Sequence, residues 1–87
     1  VSKEIDYEKL RSIIRKKLQL LSRLLVNNKI SPEMYNTLKV MLSDIYYTSN
    51  SHQIEMKIKN YNLAVMQIKS NVLRTVLYID FTEIQVT

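Results

Sequence analysis

Apolar positions along the chain fall into three stretches with helical spacing. Leu10, Ile13, Ile14, Leu18, Leu21, Leu24 and Leu25 recur at three- and four-residue steps, so at about 100° per residue they share one face. Asp6 precedes them as an N-cap, flanked by Ile5 and Leu10 as a hydrophobic staple, and Asn27 and Asn28 follow them. This pattern predicts a first helix over about residues 7–26, closed by Asn in the left-handed position that a chain without Gly cannot give to glycine.

Ser31, Pro32 and Glu33 form the clearest start signal, with Ile30 and Tyr35 as a second staple. Met34, Leu38, Met41, Leu42 and Ile45 then make a stripe with Tyr46 at its margin, which predicts a helix over 32–48 before the polar run Thr48–Ser51. Ile54, Ile58, Tyr61, Val65, Ile68, Val72, Val76 and Ile79 step by four or three like a coiled-coil seam and predict a third helix over 53–79. At 1.5 Å per residue that helix reaches about 40 Å, against about 30 Å and about 25 Å for the other two, so its end overhangs. The fold class expected is all-α, an antiparallel three-helix bundle forming one domain, with a long third helix and an apolar C-terminal extension.

Around the overhang, Leu73, Leu77, Tyr78, Phe81 and Ile84 widen the apolar stripe beyond what two shorter helices cover, and they form the expected partner-binding surface. The ending Val76–Val86 is rich in β-branched and aromatic residues and also reads as an extended strand. No second convincing strand stands elsewhere in the chain, so such a strand would look to a partner or a second copy; the alternative is that Leu77 and Phe81 fold back over the bundle end and the last residues fray.

Composition closes off several function classes. With 46% apolar residues and six Tyr in 87 the chain can build a modest core and is not disordered by composition. Absence of Cys removes disulfides, thiolate catalysis and zinc knuckles, and absence of Gly removes glycine-cradled phosphate sites. One His builds no metal site, and His52 reads as a cap or solvent residue. The carboxylates are scattered, so no catalytic residue, metal or cofactor is expected. No bilayer-spanning run or secretory apolar region is seen, which leads to the expectation of a cytoplasmic protein without small-molecule substrate or membrane partner.

Charge is distributed unevenly. The net charge of +5 divides into −2 over residues 1–8, +7 over residues 9–32 without a single acid, and zero over 33–87. Lys9, Lys16 and Arg23 recur every seven residues as one stripe, Arg11 and Arg15 lie on the other side of the same polar face, and Lys29 follows in the turn. These six are the candidate nucleic-acid-binding residues, meeting successive phosphates without reading bases. The alternative is a solvated face relieved by Glu33, Asp44 or Glu55 on neighbouring helices. Lys17 projects into the apolar arc, with its stem expected along the core and its ammonium in solvent.

Tyr35, Tyr46, Tyr47 and Tyr61 are residue types that stack bases, although Tyr35 and Tyr61 read as core edges with surface hydroxyls and only Tyr47 falls off the stripe. Met34 and Met41 belong to the core stripe, whereas Met56, Leu63 and Met66 lie off the spine and face either other helices or a partner.

The opening KEIDYEKLRSIIRKKLQLLSRLL, the basic first helix, the small size and the Ile, Lys, Tyr and Asn usage resemble the small accessory subunits found with crenarchaeal replicative B-family DNA polymerases. That resemblance implies a non-catalytic archaeal subunit that sits against the polymerase in DNA replication and aids its stability or hold on DNA. It rests on no diagnostic motif, so no functional residue is carried over. Small helical proteins of archaeal viruses share the same look. Two functions are therefore expected in competition: an accessory module that docks on a protein and presents a basic helix to DNA or another polyanion, or a self-assembling structural homodimer whose basic face is only solvated.

Overall fold

In the computed structural model, which describes residues 4–86, Asp6 opens the first helix α1 (Tyr7–Val26), its carboxylate accepting from the Lys9 N–H at 3.1 Å. Lys3, counted above in the acidic leader, and Thr87, the last residue of the C-terminal segment, lie outside the described residues. Asn28 takes φ 56°, and two bonds close the helix around it: Asn28 N–H to the Leu25 carbonyl at 3.1 Å and Lys29 N–H to the Leu24 carbonyl at 2.8 Å. This is a Schellman closure with Asn in the glycine position.

Ser31 caps α2 (Pro32–Tyr46) through the Met34 N–H. The helix stops two residues earlier than expected because Thr48 folds its hydroxyl back onto the Asp44 carbonyl at 2.7 Å while also accepting from Lys57. Asn50 then caps α3 (Ser51–Val65) by accepting from the His52 and Gln53 N–H groups. The helices run back along one another: Tyr7 at the start of α1 donates to the Ser49 carbonyl beyond the end of α2, and Lys57 of α3 pairs with Asp44 of α2 at 3.1 Å.

The expected third helix over 53–79 is corrected here. It breaks after Val65, where Gln67 and Ile68 N–H groups tighten onto the Ala64 and Val65 carbonyls, and a separate short helix α4 (Asn71–Leu77) starts at the cap Ser70. Arg74 of α4 reaches back to the carbonyls of Ile68 and Lys69 and to the Asn71 side chain, satisfying the turn. The break changes which face points inward. Val72, on the expected spine, is 71% exposed, while Leu77, off that spine, is fully buried and Leu73 packs against the core.

After α4 the chain runs through Tyr78–Asp80 into a 3-10 turn (Phe81–Ile84) and a strand β2 (Gln85–Val86). The expectation that no strand within the chain pairs with this segment is overturned by β1 (Glu4–Ile5), which pairs with β2 antiparallel, Glu4 opposite Val86 and Ile5 opposite Gln85.

 Asp6 N–H adds a bond to the Ile84 carbonyl at 2.7 Å, so the two ends of the described chain close on each other. β1 is too short and too charged to announce itself by alternation; its pairing comes from the position of its neighbours.

A single buried cluster joins β1, the four α-helices and the 3-10 turn. Ile5, Leu10, Ile14, Leu21, Leu24, Leu38, Leu42, Ile45, Ile54, Ile58, Tyr61, Val65, Ile68, Leu77, Ile79 and Ile84 form it. Three side chains fasten the C-terminal segment to it. Tyr61 donates its buried hydroxyl to the Leu77 carbonyl at 2.8 Å, which corrects the expectation of a surface hydroxyl. Asn62 clamps Ile79 from both sides, its amide donating to the Ile79 carbonyl and its oxygen accepting from the Ile79 N–H, each at 2.9 Å. Lys17 donates to the Val76 carbonyl at 2.9 Å. Tyr61 and Lys17 thereby satisfy carbonyls that the short α4 leaves open at its end, and Asn62 satisfies the extended backbone beyond it.

The overhanging apolar tip is corrected with the helix. Leu77 and Ile84 have no exposed surface, and Leu73 and Phe81 pack half-buried against the core. Of the five residues expected to bind a partner, only Tyr78 stays exposed, at 47%.

Candidate nucleic-acid interface

Helix α1 buries Leu10, Ile14, Leu21 and Leu24, which fixes the direction in which its charged side chains point. Lys9, Lys16 and Arg23 lie opposite that buried face and are exposed. Arg15 is exposed on the other side of the polar face, and its guanidinium donates to the Tyr46 hydroxyl at 3.3 Å. Arg11 is half-buried, with its guanidinium carbon 5.9 Å from the centre of the Tyr7 ring. Lys29 is exposed in the turn beyond the helix. Five of the six candidates thus share the solvent side of one helix about 30 Å long, and the sixth extends it past the C-terminal end.

Ion pairing does not neutralise this side. Among the described residues the one ion pair is Lys57–Asp44, which lies between α2 and α3. Asp44, one of the three acids weighed as relief for the basic face, is therefore engaged elsewhere, and neither Glu33 nor Glu55 is within ion-pairing distance of an α1 cation. Glu8 is the only acid within α1 itself, in its first turn, where it suits the helix dipole.

Lys17 stands apart from the other cations. Its stem lies along the core as expected, but its ammonium is bound to the Val76 carbonyl instead of being free in solvent. Burial lowers its pKa from the ordinary lysine value, with the Glu83 carboxylate pulling in the opposite direction. It is a fastening residue for α4.

An aromatic groove adjoins the basic face. Tyr46 and Tyr47 meet edge to face, with ring centres 5.1 Å apart and planes at 74°, and Arg15, Leu18 and Ser43 complete the lining. Tyr47 is 84% exposed, in agreement with its place off the apolar stripe. The pairing of Arg15 with Tyr46 was not legible in the chain, because 31 residues separate them and only the return of α2 along α1 brings them together.

Met56, Leu63 and Met66 face solvent from the outer side of α3 and its end, not the neighbouring helices. His52 is exposed in the first turn of α3, and no group of His, Asp and Glu among the described residues is arranged to hold a metal. No helix among them is long and apolar enough to cross a membrane. Comparison of the chain with protein-family models, with curated proteins and with solved structures gives no match.

Proposed function

We propose that this protein is a non-enzymatic binding module that lays the solvent side of α1 against the phosphate backbone of a nucleic acid. The observation that carries this reading is the set Lys9, Arg11, Arg15, Lys16 and Arg23 on one helix, with no carboxylate among the described residues at ion-pairing distance. Holding that many like charges on one face is unfavourable without counter-charge, and a polyanion supplies it with release of its own condensed ions. Binding of this kind is strong at low salt and nearly indifferent to sequence.

A protein partner is a second part of the same reading. Met56, Leu63 and Met66, each more than half exposed, give α3 an outer apolar strip that the fold leaves uncovered. In an accessory subunit this strip, together with Tyr78, replaces the C-terminal tip as the docking surface. The resemblance to polymerase accessory subunits would place the module in a DNA replication complex. The same strip also favours the competing reading, a homodimer joined through α3 with the basic face only solvated.

Replacing Arg11, Arg15 and Lys16 with Glu tests the proposal. Loss of duplex and single-strand DNA binding with unchanged helicity by circular dichroism is the expected result. A wild-type protein that is a stable dimer by light scattering and binds no polyanion at low salt would replace the accessory reading with the homodimer.

A further inference from the structure

We infer that the groove between α1 and the end of α2 takes an unpaired base, so that the nucleic acid bound along α1 is single-stranded. This inference rests on the phosphate-binding reading above and specifies its ligand. Tyr47 is a large aromatic residue that the core does not use: it is 84% exposed, whereas the adjacent Tyr46 is half-buried against the core. Contact with Tyr46 at 5.1 Å and 74° gives the Tyr47 ring a fixed neighbour while leaving most of its surface open. The Tyr46 hydroxyl in turn accepts from the Arg15 guanidinium at 3.3 Å.

The lining of the groove matches a nucleotide in its parts. Tyr46, Tyr47 and Leu18 offer apolar and π surface to a flat ring, Ser43 offers a hydroxyl, and Arg15 brings positive charge to the rim. No carboxylate lines it. Arg11 lies one helical turn from Arg15 on the same side of α1, toward the helix start, so a chain of phosphates leaving the groove meets a second guanidinium. An apolar peptide would satisfy the rings but not the unpaired charge beside them. A duplex would satisfy the charge but keeps its bases stacked inside, out of reach of Tyr47. A single strand supplies both, since every base has a π face and stacking tolerates any sequence.

The test compares a fluorescein-labelled oligothymidylate with an abasic phosphodeoxyribose oligomer of the same length, using fluorescence anisotropy at low salt. Tyr47→Ala is expected to weaken oligothymidylate binding by about 5- to 150-fold and to leave the abasic oligomer nearly unaffected. Tyr47→Trp is expected to keep the oligothymidylate affinity, and the emission of the new indole, in a chain without other Trp, to be quenched by that ligand alone. The inference is overturned if Tyr47→Ala binds oligothymidylate like wild type, or if it loses both ligands equally; in the first case the phosphate-binding reading survives. If wild type binds a duplex but neither oligomer, the inference alone fails; if it binds no nucleic acid at low salt, the underlying phosphate-binding reading fails as well.

Discussion

Tyr61→Phe removes one oxygen from the best-buried aromatic side chain and isolates how the C-terminal segment is fastened. The ring stays in the core, but the Leu77 carbonyl, at the end of α4, loses the hydroxyl that donates to it at 2.8 Å. Leaving a buried carbonyl unpaired costs about 1–3 kcal/mol. For a chain of this size, about 2 kcal/mol lowers the Tm by about 8–16 °C. A second signature lies in alkali. Burial raises the Tyr61 hydroxyl pKa above the ordinary tyrosine value of 10.0, so the folded state keeps a proton that the unfolded state gives up. Its contribution to stability is therefore fully present below about pH 10 and is lost as pH rises further; between about pH 10 and about pH 11 it amounts to about 1 kcal/mol. Lys17 has the opposite sign, its lowered pKa making stability rise toward pH 10.5, but it is common to both proteins and cancels in their difference. Urea unfolding followed by circular dichroism at neutral and alkaline pH gives both quantities. The Tyr61→Phe deficit is expected near neutrality and to shrink by about 1 kcal/mol at about pH 11. A variant within about 0.5 kcal/mol of wild type near neutrality would refute a structural role for this hydroxyl, and a deficit unchanged by pH would refute its burial.

Asn62→Leu leaves both backbone polar groups of Ile79 without their partner, and a loss of about 2–3 kcal/mol in urea unfolding is expected, with faster hydrogen exchange at the Ile79 N–H. Asn28→Ala places a Cβ-bearing residue without a compensating side-chain amide at φ 56° and should cost about 1 kcal/mol, whereas Asn28→Gly should be at least as stable as wild type in the same assay.

How far the chain discloses its fold depends on the range of the interactions involved. Caps are local, so Asp6, Ser31 and the Asn28 closure were readable from single positions, and α1 has the bounds expected of it. Periodicity is also local, and it carried the stripe through Ile54, Ile58, Tyr61 and Val65 correctly. It then misled, because Ile68, Val72 and Val76 keep a four-residue step across a break set by Ser70 capping and by Arg74 reaching back. β1 has two residues and no pattern of its own; its pairing with β2 follows from the closure of the whole chain. At the candidate site the positive face was legible as an acid-free run, whereas the Arg15–Tyr46 contact and the engagement of Asp44 by Lys57 depend on how helices are placed side by side.

The salt dependence of DNA binding by the wild-type protein tests the central claim most directly. If α1 neutralises about five phosphates, log affinity falls with log salt at a slope near about −4.5, and raising salt from about 50 to about 200 mM weakens binding about 500-fold. A slope flatter than about −1, or no binding at the lower salt, would show that the cations of α1 are merely solvated and contradict a phosphate-binding surface.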